Sequence, residues 1–136
     1  MSDEGFFDTN VLVYAVARDD PRAPVAADLL ARGGRISVQV LNEFASTARR
    51  RLKWPWAEVM DALAAFRVLC PAPLPIGVGT HEAALEIAAR DGFAFYDALI
   101  VAAALEAGCG TLWSEDMQHG QVISGRLTVR NPFARR

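Results

Sequence analysis

The stretch Gly5-Phe6-Phe7-Asp8-Thr9-Asn10-Val11-Leu12 decides the fold class. A short apolar run ends at a carboxylate, and the chain turns apolar again three residues later. So short a run reads as a strand buried on both faces, ending at Asp8. Val11 to Ala17 then turns into a short helix. The same alternation recurs downstream. Arg35-Ile36-Ser37-Val38 suits a second buried strand. A helix follows from Gln39 to Leu52, with Val40, Leu41, Phe44, Ala45 and Ala48 at helical spacing. Val68-Leu69-Cys70, Thr111-Leu112-Trp113 and Leu127-Thr128-Val129 read as the third, fourth and fifth strands. Further helices are expected from Pro21 to Arg32, from Pro55 to about Phe66, and from Tyr96 to Ala107. Another is expected from an N-cap at Thr80 to Arg90, stopped by Asp91-Gly92. Short apolar strands alternating with helices predict an α/β fold with a mainly parallel sheet. In such sheets, sites gather at the C-terminal ends of the strands.

The chain has 136 residues and a mass of 14.8 kDa, which predicts one domain spanning residues 1–136. Area scaling gives roughly 7,000 Å² folded against about 21,000 Å² unfolded, enough burial for a core without staples. With 52% apolar and 22% charged residues, disorder is excluded. The longest apolar run, Ala98 to Leu105, is far short of the ~20 residues a membrane span requires. Asp3 and Glu4 precede any apolar stretch, so no secretory signal is expected and a cytoplasmic location is. Cys70 and Cys109 make no metal or redox spacing and read as buried thiols. With His81 and His119 the only histidines, a Cys/His zinc site is excluded. His81 reads as a first-turn helix residue and His119 as a surface one. The net charge of −2 argues against a simple basic glove for nucleic acid. That argument weakens if the acids surround a divalent cation, which reverses the local sign.

Four acids stand at strand ends or helix starts in apolar surroundings. Asp8 closes the first strand, and Glu43 lies in the helix after the second. Asp97 opens the most apolar helix, in Phe95-Tyr96-Asp97-Ala98-Leu99-Ile100, and Asp116 follows the fourth strand in Trp113-Ser114-Glu115-Asp116. Each has an ordinary structural role open to it. Asp97 suits an N-cap, Asp8 an Asx-turn with Thr9 and Asn10, Glu43 an exposed helix position, and Asp116 a loop. Taken together, a parallel sheet brings these carboxylates toward one edge, where they repel and lose hydration. Mg²⁺ or Mn²⁺ is the natural compensation, since hard cations take oxygen ligands. The chemistry such a cluster serves best is metal-assisted attack of water on a phosphodiester.

This pattern resembles the PIN-domain ribonucleases, and within them the VapC toxins of bacterial toxin–antitoxin pairs, from Phe6 to Val129. Asp8-Thr9-Asn10 matches the family's strand-end Asp-Thr/Ser-Asn motif. Glu43 in Leu41-Asn42-Glu43-Phe44 matches its helical glutamate, and Tyr96-Asp97-Ala98-Leu99-Ile100 its helix-opening aspartate. Ser114-Glu115-Asp116 matches the fourth acid, for which Glu115 is an alternative. The resemblance implies a three-layer α/β/α sandwich with a parallel sheet of about five strands. It also implies metal-dependent endonucleolytic cleavage of RNA, often tRNA or rRNA, a small cognate antitoxin as partner, and a homodimer. On that basis Asp8, Asp97 and Asp116 hold the Mg²⁺ or Mn²⁺, and Glu43 ligates it or orients the attacking water. Thr9, Asn10 and Ser114 orient the carboxylates by hydrogen bonds.

Arg49-Arg50-Arg51-Leu52-Lys53 is the only dense basic run. It reads either as a solvated helix end or as phosphate contacts to RNA. Trp54 and Trp56 read as core or partner packing more readily than as base-stacking groups. Three competing readings stay in view. A phosphoacceptor receiver domain wants an acid pair near the first strand and a late lysine, whereas Lys53, the only lysine, is mid-chain. A PIN-like scaffold that binds RNA or protein without cutting has no need of mutually repelling acids. A PIN nuclease devoted to RNA maturation differs in its biology, and a short neighbouring reading frame for a DNA-binding antitoxin separates it from a toxin.

Overall fold

The computed structural model describes residues 2–134. In chain order the elements are β1 (Ser2–Phe7), α1 (Thr9–Ala15), α2 (Arg22–Ala31), α3 (Val38–Arg50) and α4 (Trp56–Leu69). Then come α5 (Val78–Asp91), α6 (Phe95–Glu106), β2 (Cys109–Trp113), β3 (Val122–Ile123) and β4 (Leu127–Arg130). The strands lie in the order β1-β2-β4-β3. β1 and β4 both run parallel to β2, and only the two-residue β3 is antiparallel. Phe6 and Phe7 are consecutive in β1, so they point to opposite faces, yet they are only 0% and 1% exposed. Helices therefore cover both sides of the sheet, as the α/β sandwich expectation requires.

Three expectations are corrected. Arg35-Ile36-Ser37 extends the sheet beyond β1, but through isolated parallel bridges to Phe6 and Leu74 rather than as a full strand. Its bonds include Phe7 N–H to the Arg35 carbonyl at 3.0 Å and Leu74 N–H to the Ile36 carbonyl at 2.9 Å. The third strand expected at Val68-Leu69-Cys70 is instead the last turn of α4, where Cys70 N–H bonds to the Phe66 carbonyl at 2.8 Å. Val59, Phe66 and Cys70 share the buried face while Val68 is 80% exposed, a helical pattern that a local apolar triplet conceals. The outer sheet position passes to Leu74, after the first prolines. Finally, Thr80 is not the N-cap of α5. Gly77 holds that place, and the buried Thr80 hydroxyl accepts the Gly77 N–H at 3.3 Å from one turn inside. The stop at Gly92 is as expected, in the left-handed conformation at φ 78°.

Helix α6 is buried without a break from Ala98 to Ala104. It packs on β2, α3 and α5, and its alanines let those neighbours approach closely. A helix covered on several sides shows no amphipathic stripe, which is why its sequence is so uniformly apolar. No helix among the described residues is long and apolar enough to cross a membrane.

Candidate active site

Because β1 and β2 are parallel, their C-terminal ends open on the same edge. The Asp8 N–H continues the ladder to the Trp113 carbonyl at 3.0 Å, and Ser114 N–H reaches the Arg130 carbonyl at 3.0 Å. Asp8 and Ser114 are thereby set side by side. The Asp8 carboxylate is buried, caps α1, and accepts Thr9 N–H at 2.7 Å, the Ser114 hydroxyl at 2.6 Å and the Asn10 amide at 3.3 Å. Burial pushes Asp8 up to about 7. The bonds from Ser114 and Thr9 oppose that rise, and the charges of Asp97 and Asp116 add to it.

Ser114 is a hub. Fully buried, it gives its proton to Asp8 and accepts the N–H groups of Asp116 at 3.2 Å and Met117 at 3.3 Å. Asn10 braces the same loop, donating to Asp116 at 3.2 Å and accepting the Glu115 N–H at 3.3 Å. Glu43 is half-buried in α3, where Gln39 one turn earlier donates to it at 3.0 Å and the Thr9 hydroxyl at 3.4 Å. Burial raises its pKa, with Asp97 and Asp116 contributing in the same direction. Asp97 lies in the first turn of α6, behind the N-cap Ala94, and makes no capping bond. It too is raised, first by burial and then by Asp116.

Asp8, Glu43, Asp97 and Asp116 thus share one negative field. No arginine, lysine or histidine figures among the groups that shift Asp8, Glu43 or Asp97. The uncompensated charge and an all-oxygen donor set fit a hard divalent cation. Among the described residues, no three of these acids already stand in a ready-made ligand cluster.

The fourth position has two candidates, and they face different neighbours. Glu115 is bonded by the Tyr14 hydroxyl and by Arg22 Nη1 at 3.2 and 3.3 Å. Arg22 also bonds Asp20 and lies 3.9 Å over the Tyr14 ring. Burial, followed by the Glu115 bond, pushes the Tyr14 hydroxyl up to about 12. Glu115 is therefore held by Tyr14 and Arg22, while the exposed Asp116 contributes to the shared field. Neither this cluster nor Gln39 stood out in the sequence. Arg22 and Glu115 are 93 residues apart and carry no common spacing, whereas Gln39 to Glu43 is an i, i+4 pair that helix periodicity could have exposed.

The basic run divides. Arg49 bonds the Trp54 carbonyl at 2.9 Å, and its guanidinium lies 4.5 Å over the Trp56 ring. Arg50, Arg51 and Lys53 are exposed beyond it. Trp54 packs edge-on against Phe44, as expected of a core residue, while Trp56 is 55% exposed. The free thiols of Cys70 and Cys109 are buried.

A family model for the PIN domain matches residues 5–122, a span containing all four acids. No curated protein matches the sequence. Among solved structures, the chain is similar to VapC20 of Mycobacterium tuberculosis, described as a sarcin-ricin loop cleaving toxin. That match has a TM-score of 0.66 at 23% identity, over 82% of this chain and 91% of the other. It is also similar to VapBC2 from Rickettsia felis, solved with a DNA fragment from its promoter. There the TM-score is 0.65 at 19% identity, over 93% of this chain and 98% of that one. With most of its length covered by the family model, the chain belongs to the PIN domain family.

Proposed function

We propose that this protein is a metal-dependent endoribonuclease, the toxin of a toxin–antitoxin pair that blocks translation by cutting tRNA or rRNA in the cytoplasm. The observation that carries this reading is the convergence of four acids, with no basic side chain among the described groups that shift Asp8, Glu43 and Asp97. Mg²⁺ or Mn²⁺ would be held by Asp8, Asp97 and Asp116, with Glu43 as a further ligand or as the group that orients the attacking water. When bound, the ion lowers the pKa of water and neutralises charge on the scissile phosphate. The protein's part is orientation. Ser114, Thr9 and Asn10 fix both oxygens of Asp8, while Gln39 and Thr9 hold Glu43. Asp97, in the first turn of α6 and with no hydrogen-bond or ion-pair partner among the described residues, is free to turn toward a cation. Arg50, Arg51 and Lys53 serve as outlying phosphate contacts. A small antitoxin protein is the expected partner, in keeping with the VapBC2 complex among the similar structures, and a second copy of the chain is expected from the family resemblance.

The test is cleavage of total cellular RNA by antitoxin-free protein with Mn²⁺, with Mg²⁺ and with EDTA, alongside Asp97→Asn, mapping new ends by sequencing. Discrete metal-dependent ends absent from the variant support the nuclease and identify its substrate. Identical patterns from both proteins would overturn it in favour of a binding scaffold.

A further inference from the structure

We propose that the groove between α2 and the ends of β2 and β4 is a nucleotide subsite, seating one base and its phosphate of an RNA strand beside the acidic centre. The assignment rests on the nuclease reading above. The groove encloses about 530 Å³, with apolar walls from Val25, Leu29, Trp113 and Pro132. Polar groups on its walls are Arg32, Arg130, His119 and Asn131, with Asp28 the one carboxylate. It adjoins a second hollow of about 460 Å³ that shares Leu29, Arg32 and Trp113 and is completed by Glu4, Gly5, Phe7, Gly33 and Gly34. The Trp113 indole lies across Gly5, where a Cβ would stand 2.5 Å from Nε1. Only glycine at that position leaves the ring its place.

Three features select the ligand. Neither Arg32 nor Arg130 is paired with a carboxylate among the described residues, although the chain as a whole is acidic. His119 accepts the Asn131 N–H at Nδ1 (2.9 Å), so the neutral ring carries its proton on Nε2 and is a donor there. Two guanidiniums without a carboxylate partner among the described residues, an imidazole donor and a flat indole suit a group that is both anionic and aromatic. Each nucleotide of single-stranded RNA is such a group. Position supplies the link to the acids. Trp113 and Arg130 accept the backbone bonds of Asp8 and Ser114, so the groove begins one residue back from the acidic edge. Arginines there would draw phosphates toward a centre whose own charge repels them.

The test uses a short, fluorescein-labelled single-stranded oligoribonucleotide of mixed sequence, with EDTA present to prevent cleavage. Anisotropy is read across a salt series for the wild type, Arg32→Ala/Arg130→Ala, Arg32→Lys/Arg130→Lys and Arg50→Ala/Arg51→Ala. The alanine pair is expected to weaken binding about tenfold or more. It should also flatten the slope of log K against log salt by about 0.7, the contribution of the one phosphate that the two guanidiniums share. The lysine pair restores most of that slope. A thiouridine-bearing oligonucleotide is expected to crosslink wild-type protein at Trp113 or within residues 119–134, which carries the test should the alanine pair fail to fold.

Unchanged affinity and slope in the alanine pair, or crosslinks confined to residues 49–56, would overturn the subsite. If the pair alters sedimentation but not RNA binding, the groove is a protein interface and the proposal falls. Wild-type protein that cuts RNA with Mn²⁺ through all of this leaves the nuclease reading standing. Protein that neither binds nor cuts removes both.

Discussion

At the scale of single residues, the burial of Asp8 has a thermodynamic signature. Its carboxyl titrates at about 7 in the fold, against about 3.9 for an unfolded aspartate. Between those values the folded state holds a proton the unfolded state has lost, so stability falls as pH rises. Glu43 and Asp97 are displaced in the same direction. The metal-free protein should therefore melt several degrees lower at pH 8 than at pH 5, read by circular dichroism in EDTA. A rising or flat profile would contradict the clustering. Asp97→Asn removes one of the charges acting on Asp8 and Glu43. It should abolish cleavage while raising the metal-free melting temperature at pH 8, and a marked drop would show that Asp97 is structural instead. Asp8 was legible because its strand end, its Thr9-Asn10 sequel and its apolar approach are contiguous. Whether Glu115 or Asp116 faced the cluster was not legible, since the choice depends on Arg22 and Tyr14 from the far end of the chain.

At the scale of elements, the Ser114 hydroxyl ties the end of β2 both to Asp8 and to the loop that follows. Ser114→Ala takes the Ser114 acceptor from the N–H groups of Asp116 and the buried Met117, and removes one of the three donors to Asp8. It should cost about 1–3 kcal/mol in urea unfolding, and a neutral result would mean the loop after β2 is held by Asn10 alone. Gly34 marks the point where the segment after α2 crosses β1. A Cβ there would stand 2.6 Å from both the Gly5 carbonyl oxygen and the Phe7 ring. A backbone atom and a fully buried ring have nowhere to retreat, so Gly34→Ala should cost about 1–3 kcal/mol by the same measurement. Unchanged unfolding would show that the segment can shift. Element type was legible wherever periodicity ran for several turns, as in α3 and α6. It misled at Val68-Leu69-Cys70, where three apolar residues look alike as a strand or a helix end. It also misled at Thr80, because a hydroxyl can serve a helix start from either side of the first turn.

At the scale of the whole molecule, acids spread from residue 8 to residue 116 converge on one negative field, so the proposed metal binding and global stability would form one equilibrium. Saturating Mn²⁺ should raise the wild-type melting temperature at pH 8, since an ion bound at 100 times its Kd stabilises by about 2.7 kcal/mol. Asp8→Asn should lose most of that rise, and an equal rise in both proteins would place the ion elsewhere. The sequence by itself determined the alternation of strand and helix, the parallel sheet and the four acids. Those properties are carried by residues adjacent in the chain or at a fixed period. Only the tertiary structure decided which acids lie in a common field, which arginines are spent on internal partners, and that Arg32, His119, Arg130 and Trp113 line one groove. Burial and charge pairing are pairwise quantities between residues distant in the chain, and no local pattern encodes them.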